Sequence, residues 1–439
     1  MRASVIVLTW NGMADLAECL TALRSQEGAD LEMIAVDNAS SDGSADFVSS
    51  TYPEIRLIRS ERNVGFAAGN NLGLRVASGE ILILLNQDTV VRPNWAHALL
   101  AAFDECPASG AVGAKAFYPD GRIQHAGGYV NERGEGAHYG YGQPDEGQFE
   151  QTRDVDYVTG AAMAVSRKAM EAVGGLDEGF AVAYFEDVDW CYRIREAGFR
   201  VFYAPQAVLV HKNRSAAAVP GPESLYMGQR NRLRFVLKHW PTAQLVEHFC
   251  PAERTWLQGL GPGSEVLYAA LQRAYLHHLL HLSELVRWRE EALGSAADDT
   301  YVLAAMLLTL RSTVPIRPAG PSTEAVAELL DDLRRHEGIR AQPARSPLPV
   351  LGPLLTAFRG LWNRGITAAL VLPMFQQQVE FNVRVANLLQ QLVTAKAQDE
   401  QGWSRMLSEC LVGDSREVAD LAADLRALCP APPKDASVD

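Results

Sequence analysis

Ile81-Leu82-Ile83-Leu84-Leu85-Asn86-Gln87-Asp88 is an unbroken apolar run that ends in an amide, a second amide and a carboxylate. A run of this length with no polar interruption reads as a strand buried on both faces. Such a strand delivers its last side chains to the crevice at the C-terminal edge of a sheet, where open α/β folds bind ligands. Asp88 is thereby placed as a ligand-binding group before any other residue is considered.

Upstream, strands and helices alternate. Ser4 to Thr9 is a β run, and Leu16, Cys19, Leu20 and Leu23 follow at helical spacing. Met33 to Val36 is a second strand ending in Asp37, Ile55 to Ile58 a third, and Leu72 to Ala77 and Trp95 to Phe103 flank the quoted run as helices. Short apolar strands between amphipathic helices predict a mostly parallel sheet covered on both faces. From Pro119 to Gln151 the pattern gives way to Gly, Tyr, Gln and acids, which reads as hairpins and loops over the active face. Strand character returns from Tyr157 to Val165, and a helix is expected to begin near Asp187 and close at Gly198.

Beyond about residue 240 strand signals fade into leucine-rich helical segments: Val266 to Leu293, Tyr301 to Leu310, Thr323 to His336, Val379 to Ala397 and Glu417 to Leu428. Two proline-rich breaks, Pro315 to Pro321 and Pro343 to Pro353, divide them. The expected organisation is an α/β domain over residues 1–240 and an α-helical region over 241–439. The stripe Val379, Val383, Ala386, Leu389 and Val393 suits an intrachain packing face or a homo-oligomer seam. Leu348 to Phe375, apolar but carrying Arg359, Asn363 and Arg364, suits ordinary helix packing or a position along a membrane surface.

A net charge of -13 argues against a nucleic-acid partner, which requires a basic face to neutralise phosphates. The 6 cysteines are scattered without zinc or redox spacing, as expected of reduced thiols. The opening apolar stretch is too short for a signal peptide, and no uninterrupted apolar run reaches the roughly 18 residues of a membrane span. A cytoplasmic protein is expected, with the inner face of the membrane as the surface it would touch.

Taken in order, Val5-Ile6-Val7-Leu8-Thr9-Trp10-Asn11-Gly12, Val36-Asp37-Asn38-Ala39-Ser40-Ser41-Asp42-Gly43-Ser44, Asn63-Val64-Gly65-Phe66-Ala67-Ala68-Gly69-Asn70-Asn71, Asn86-Gln87-Asp88-Thr89 and Glu186-Asp187-Val188-Asp189-Trp190 make a specific set. Over residues 1–240 the chain resembles the family 2 inverting glycosyltransferases, in particular their rhamnosyltransferase-like branch. The resemblance implies a GT-A fold, a Rossmann-like nucleotide-binding α/β domain. It also implies a dTDP- or UDP-linked sugar donor, with rhamnose as the leading sugar, and a saccharide or lipid-linked acceptor in surface polysaccharide synthesis.

The resemblance assigns roles residue by residue. Asp37 would accept the N3 hydrogen of a uracil or thymine ring, with Thr9, Trp10 and Asn11 walling the base. Asp42 and Ser44 read instead as caps of the next helix. Asn63 and Gly69 belong to a loop that would hold the nucleotide and ribose, although Gly69 and Asn71 equally suit the start of a helix. Asp88 would hold a divalent ion, Mn2+ or Mg2+, that neutralises the departing diphosphate. The family's Asp-x-Asp has Asn86 at its first position here, so the motif brings one carboxylate, and His211 would complete the metal site.

Asp187 is the expected general base, taking the acceptor hydroxyl's proton as that oxygen displaces the nucleotide with inversion. Glu186 and Asp189 would support it, and Gly160 would floor the acceptor side. Trp190 suits either an acceptor sugar face or the core. Arg193 and Arg214 suit the diphosphate or the surface, and the segment Asp120-Gly121-Arg122-Ile123-Gln124-His125 fits a recurring loop of the branch without an assignable role. Two rivals were weighed. A nucleotidyltransferase would carry a basic glycine-rich loop where Thr9-Trp10-Asn11-Gly12 stands, and an inactive glycan-binding or assembly module would not need Asp37, Asp88 and Asp187 together.

Overall fold

The computed structural model describes residues 2–213, 221–293 and 300–314. In chain order these form β1 (Arg2–Thr9), α1 (Met13–Arg24), β2 (Asp30–Asp37), α2 (Ser44–Thr51), β3 (Arg56–Arg59), α3 (Gly65–Val76), β4 (Ile81–Asn86), β5 (Thr89–Val91), α4 (Trp95–Glu105) and β6 (Ser109–Phe117). There follow β7 (Ile123–His125), β8 (Gly128–Val130), β9 (Gly136–His138), β10 (Arg153–Asp154), β11 (Ala162–Ser166), α5 (Arg167–Val173), α6 (Glu186–Glu196) and β12 (Arg200–His211). Helices complete the described chain: α7 (Pro222–His239), α8 (Thr242–Gln244), a π-helical turn at Leu245–Phe249, α9 (Cys250–Gly259), α10 (Glu265–Leu280), α11 (Leu282–Leu293) and α12 (Thr300–Thr313).

The main sheet runs β10-β12-β6-β11-β4-β1-β2-β3. Its β4-β1-β2-β3 half is parallel throughout. The quoted run is buried as its composition demands, and its side chains divide by parity. Leu82 and Leu84 enter one apolar layer with α3, α6 and α7, whereas Ile81, Ile83 and Leu85 enter the other with α1 and α4.

The sheet is mixed rather than mostly parallel. β11 runs antiparallel to both β4 and β6, while β6 and β12 pair in parallel. The cause is local. The Ser109–Phe117 strand is built largely of Ala and Gly, which carry little strand signal, yet it is almost wholly buried. Its Gly113 faces Val158, where an added Cβ would overlap the valine, so smallness is required by packing. The Tyr157 to Val165 expectation also shortens to Ala162–Ser166, with Tyr157 instead bridging to Gly128.

α7 carries Leu233, Phe235, Val236 and Leu237 into the same core as the sheet, together with Leu271, Leu285, Leu303 and Leu310 of the later helices. The described residues belong to one compact unit, Met1–Ile316. The helices expected at 323–336, 379–397 and 417–428, the 348–375 stretch, the proposed oligomer seam and Arg214 lie outside the described residues. No helix among the described residues is long and apolar enough to cross a membrane.

Candidate active site

The C-terminal ends of β1 and β2 lie side by side, with Thr9 paired in register to Asp37. Asp37 is buried, and both its carboxylate oxygens stand 3.3 Å from the Ser40 amide, a weak contact that leaves its accepting capacity largely unspent. Asn11 bridges the two loops: its amide donates to Ser40 Oγ at 2.9 Å and its Oδ1 accepts from the Ser41 amide at 2.8 Å. Asn11 sits at φ 48°, a left-handed conformation that asparagine tolerates better than most residues. Thr9 and Trp10 are pinned by Gln87, whose Oε1 accepts from Thr9 Oγ1 at 2.7 Å and from the Trp10 amide at 2.9 Å. Gln87 thus ties the expected base-binding wall to the strand that bears Asp88.

Asn63 Oδ1 accepts from the Gly65 amide at 2.9 Å and from Asn38 Nδ2 at 3.0 Å, shaping the start of α3. Gly69 is inside α3, where a Cβ would come within 2.6 Å of Leu8 Cδ1, so close helix-to-strand packing accounts for it. The structure puts Gly69 against β1, not at the crevice mouth, and Asn71 tethers α3 to Leu176 through paired backbone bonds. Asp42 behaves as the expected cap, accepting from the Met13 amide at 2.9 Å and the Ser44 amide at 3.0 Å.

At the end of β4, the register of β5 against β12 sets His211 opposite Thr89 and so beside Asp88. His211 Nε2 is 3.2 Å from Asp88 Oδ1 and 3.4 Å from Asn86 Nδ2. On the far side of the ring, Nδ1 donates to Gln124 Oε1 at 2.6 Å. Gln124 thereby orients the ring, with Nε2 turned toward the Asp88 carboxylate. A buried carboxylate oxygen beside a ring nitrogen, with the second ring nitrogen held by an outer partner, would suit a divalent cation. No group of three His, Cys, Asp or Glu gathers among the described residues. The donor set therefore fits a hard cation held partly by Asp88, His211 and the Asn86 carboxamide and otherwise by substrate oxygens.

The second acidic element opens α6. Asp187 Oδ2 accepts from the Gly160 amide at 2.8 Å and its Oδ1 from the Val188 amide at 2.8 Å. Burial raises the Asp187 pKa above the ordinary aspartate value, and these two amide bonds oppose the shift without cancelling it. Gly160 has Phe66 on its other side, so a Cβ there would stand 3.1 Å from the ring. Glu186 is buried, its Oε2 has no hydrogen-bond partner, and burial with the charge of Asp187 holds its pKa well above the usual carboxylate range. The two elements meet through one turn of chain, because Ala161 O accepts from the Asn86 amide at 3.0 Å while its neighbour Gly160 holds Asp187.

The acceptor-side expectations for Asp189 and Trp190 need correction. Asp189 is fully buried beneath α7 and meets Arg193 Nε at 2.8 Å, Lys238 Nζ at 2.8 Å and His239 Nε2 at 2.7 Å. Burial works to raise its pKa, but the Arg193 guanidinium, the His239 bond and Lys238 outweigh it and hold it well below the usual range. Trp190 is in the core with Nε1 donating to Gly174 O at 2.9 Å. Both belong to the buried first turns of α6, where Glu186, Val188, Asp189 and Trp190 are all covered. Arg193 spends its guanidinium on Asp189, Val173 O and Gly175 O, a structural role.

Sequence reasoning missed Gln124, Gln87 and the whole of α7. Gln124 stood in a segment already singled out. His125, its neighbour, lies buried with Nδ1 2.6 Å from His138 Nδ1 and Nε2 3.4 Å from the Thr159 amide, bracing the strand pair that presents Gln124.

A parallel half-sheet, a one-carboxylate motif after its inner strand and an amide-held acid at a helix start are the arrangement expected from the resemblance to GT-A glycosyltransferases. Residues 4–174 match the model of glycosyl transferase family 2. It is 30% identical over 226 residues to the Sinorhizobium fredii protein y4gI, covering 49% of this chain and 25% of the relative. It is 33% identical over 201 residues to the O-antigen biosynthesis protein RfbC of Myxococcus xanthus, covering 43% of this chain and 16% of the relative. It is 28% identical over 242 residues to the N-acetylglucosaminyl-diphospho-decaprenol L-rhamnosyltransferase of Mycobacterium tuberculosis, covering 49% of this chain and 78% of the relative. The chain thus spans a quarter or less of the first two.

Proposed function

We propose that the protein is an inverting glycosyltransferase that moves a sugar from a nucleoside diphosphate to a hydroxyl of a saccharide or lipid-linked acceptor. The observation that carries this reading is the Asn86–Ala161/Gly160–Asp187 connection, which joins a diphosphate-side acid to a base-side acid across one crevice. Asp37 binds the pyrimidine edge of the donor, with Thr9, Trp10 and Asn11 around it. Asp88, His211 and Asn86 would hold Mn2+ or Mg2+, which when bound neutralises charge on the leaving diphosphate.

Asp187 takes the proton of the acceptor hydroxyl. Its raised pKa makes it a stronger base than an ordinary aspartate, and the two amides hold one carboxylate orientation throughout. The hydroxyl oxygen forms a bond to the anomeric carbon as the bond to the nucleotide breaks, so one displacement inverts the centre. Rhamnose from a dTDP- or UDP-linked donor is the leading choice, supported by the likeness to the mycobacterial rhamnosyltransferase. Assembly of a surface polysaccharide at the inner membrane face is the corresponding setting, supported by the likeness to the O-antigen protein.

The test is a panel of nucleotide sugars, with and without Mn2+ or Mg2+, read by release of nucleoside diphosphate and by product stereochemistry. Release from one donor with an inverted product is expected; retention, or no release from any donor in the presence of saccharide acceptors, overturns the reading.

A further inference from the structure

The segment before the proposed base is backbone-strained, and α7 holds it. Tyr184 and Phe185 adopt φ values of 80° and 72°, in the left-handed region where bulky residues are rare. That conformation turns two successive carbonyls inward. Asn231, fully buried on α7, donates its Nδ2 to both, reaching Ala183 O at 2.9 Å and Tyr184 O at 2.9 Å. The other end of the same carboxamide is fixed by Arg230, whose Nε donates to Asn231 Oδ1 at 3.0 Å while its Nη2 donates to Ala181 O.

Other α7 side chains reach the same segment. Ser224 Oγ is 3.1 Å from Tyr184 Oη, and the Phe235 ring lies 5.9 Å from that of Phe185. Ser224, Asn231, Phe235 and Lys238 recur at spacings of seven, four and three, which places them on one helix face. From the opposite side, the Phe66 amide at the start of α3 donates to Val182 O at 2.9 Å. The residue immediately after the strained pair is Glu186, and the next is Asp187.

We propose that Asn231, oriented by Arg230, is a positioning residue for the transfer reaction: it locks the carbonyls of residues 183 and 184 so that Asp187 faces the crevice. Asn231 lies beyond the region matched by the family model, and its carboxamide bonds to Ala183, Tyr184 and Arg230. The inference rests on Asp187 being the base.

The test compares Asn231→Asp, Asn231→Ala and Arg230→Met with wild type and Asp187→Asn, in the full chain. Asn231→Asp keeps the shape but turns an acceptor toward two carbonyls. It should lower kcat by about 100-fold, the scale of an ångström-sized misplacement, with donor KM and nucleotide binding within about two-fold. Its kcat–pH profile should shift on the acid side, because the Gly160 bond to Asp187 loosens; Asn231→Ala should fall between it and wild type.

Retained kcat in a folded Asn231→Asp protein overturns the proposal, as does a kcat loss matched by equal loss of nucleotide binding. If Asn231→Asp does not fold, Arg230→Met decides by the same criteria. An active Asp187→Asn protein sinks the base assignment and the positioning role with it, whereas an inactive one beside an unimpaired Asn231 variant sinks the positioning role alone.

Discussion

The Gly160 amide donates to Asp187 Oδ2 at 2.8 Å, so the proposed base is held by backbone that belongs to the turn leading into β11 and not to its own helix. A backbone donor cannot rotate away, and a Cβ at Gly160 would press on the Phe66 ring at 3.1 Å.

Asp187→Asn keeps that volume and removes the base. Transfer should fall by at least about 100-fold while nucleotide affinity stays within about two-fold, because Asp37 and the metal motif are untouched. Steady-state kinetics beside nucleotide titration check this. In the wild type, burial raises the Asp187 pKa, so activity should be lost as pH falls through a midpoint above the ordinary aspartate value. An acid limb at or below that value removes Asp187 from the role.

Asp88→Ala should abolish the metal dependence of donor binding, and chelation should depress wild-type turnover while leaving Asp88→Ala unchanged. Gln124→Leu frees the His211 ring to change tautomer and orientation. It should weaken Mn2+ affinity by about 10-fold or more, the usual scale for an outer partner of a ligating histidine. Titration of Mn2+ against nucleoside diphosphate in both variants measures this, and equal affinity in wild type and Gln124→Leu assigns His211 a purely structural role.

Much of this was legible before any coordinates. The parallel half-sheet, Asp37 and Asp88 at strand ends and Asp187 at a helix start follow from apolar runs that stop at polar residues. β6 was not legible, because its alanines and glycines are chosen for tight packing and carry no strand propensity. Asp189 was placed on the acceptor side because its cations, Lys238 and His239, lie some fifty residues further along the chain, and of the two readings open for Trp190 the structure shows the core one. Gln124 and Asn231 were invisible because each acts through another residue, and only three-dimensional contact names the residue it serves.

Glu186 should cost stability where it is ionised. Its pKa is raised well above the unfolded value by burial and by Asp187, so its favourable contribution is complete below the unfolded glutamate pKa and is lost as pH rises through the folded one. Glu186→Gln should therefore raise the melting temperature near pH 8 by an amount equivalent to about 1–3 kcal/mol, with the gain shrinking toward pH 4. A gain that is the same at both pH values contradicts the assignment. Asp189 has the opposite sign: its depressed pKa gives stability that is present above the unfolded value and lost as pH falls. Asp189→Ala removes the buried carboxylate shared by Arg193, Lys238 and His239 and should cost about 3–5 kcal/mol near neutral pH.

Truncation separates the roles of the helices. A cut after residue 240 keeps α7 but removes the side chains that cover it. Arg289 Nη1 donates to Leu237 O at 2.5 Å and to Trp240 O at 2.9 Å, and Leu271, Leu285 and Leu303 share the core of Leu233 and Phe235. Since α7 carries Asn231, its loosening should cost transfer to a small acceptor at least as much as Asn231→Asp does, and apolar surface on α7 should lower solubility. A cut after residue 316 ends at the boundary of the first compact unit and leaves α7 through α12 in place. That protein should melt within a few degrees of the full chain and transfer to a small acceptor at an undiminished rate. Full activity of the shorter fragment, measured with the same donor and acceptor, shows that α7 needs no support from α9 to α12, and loss of activity in the longer one assigns the segment beyond Ile316 a part in catalysis.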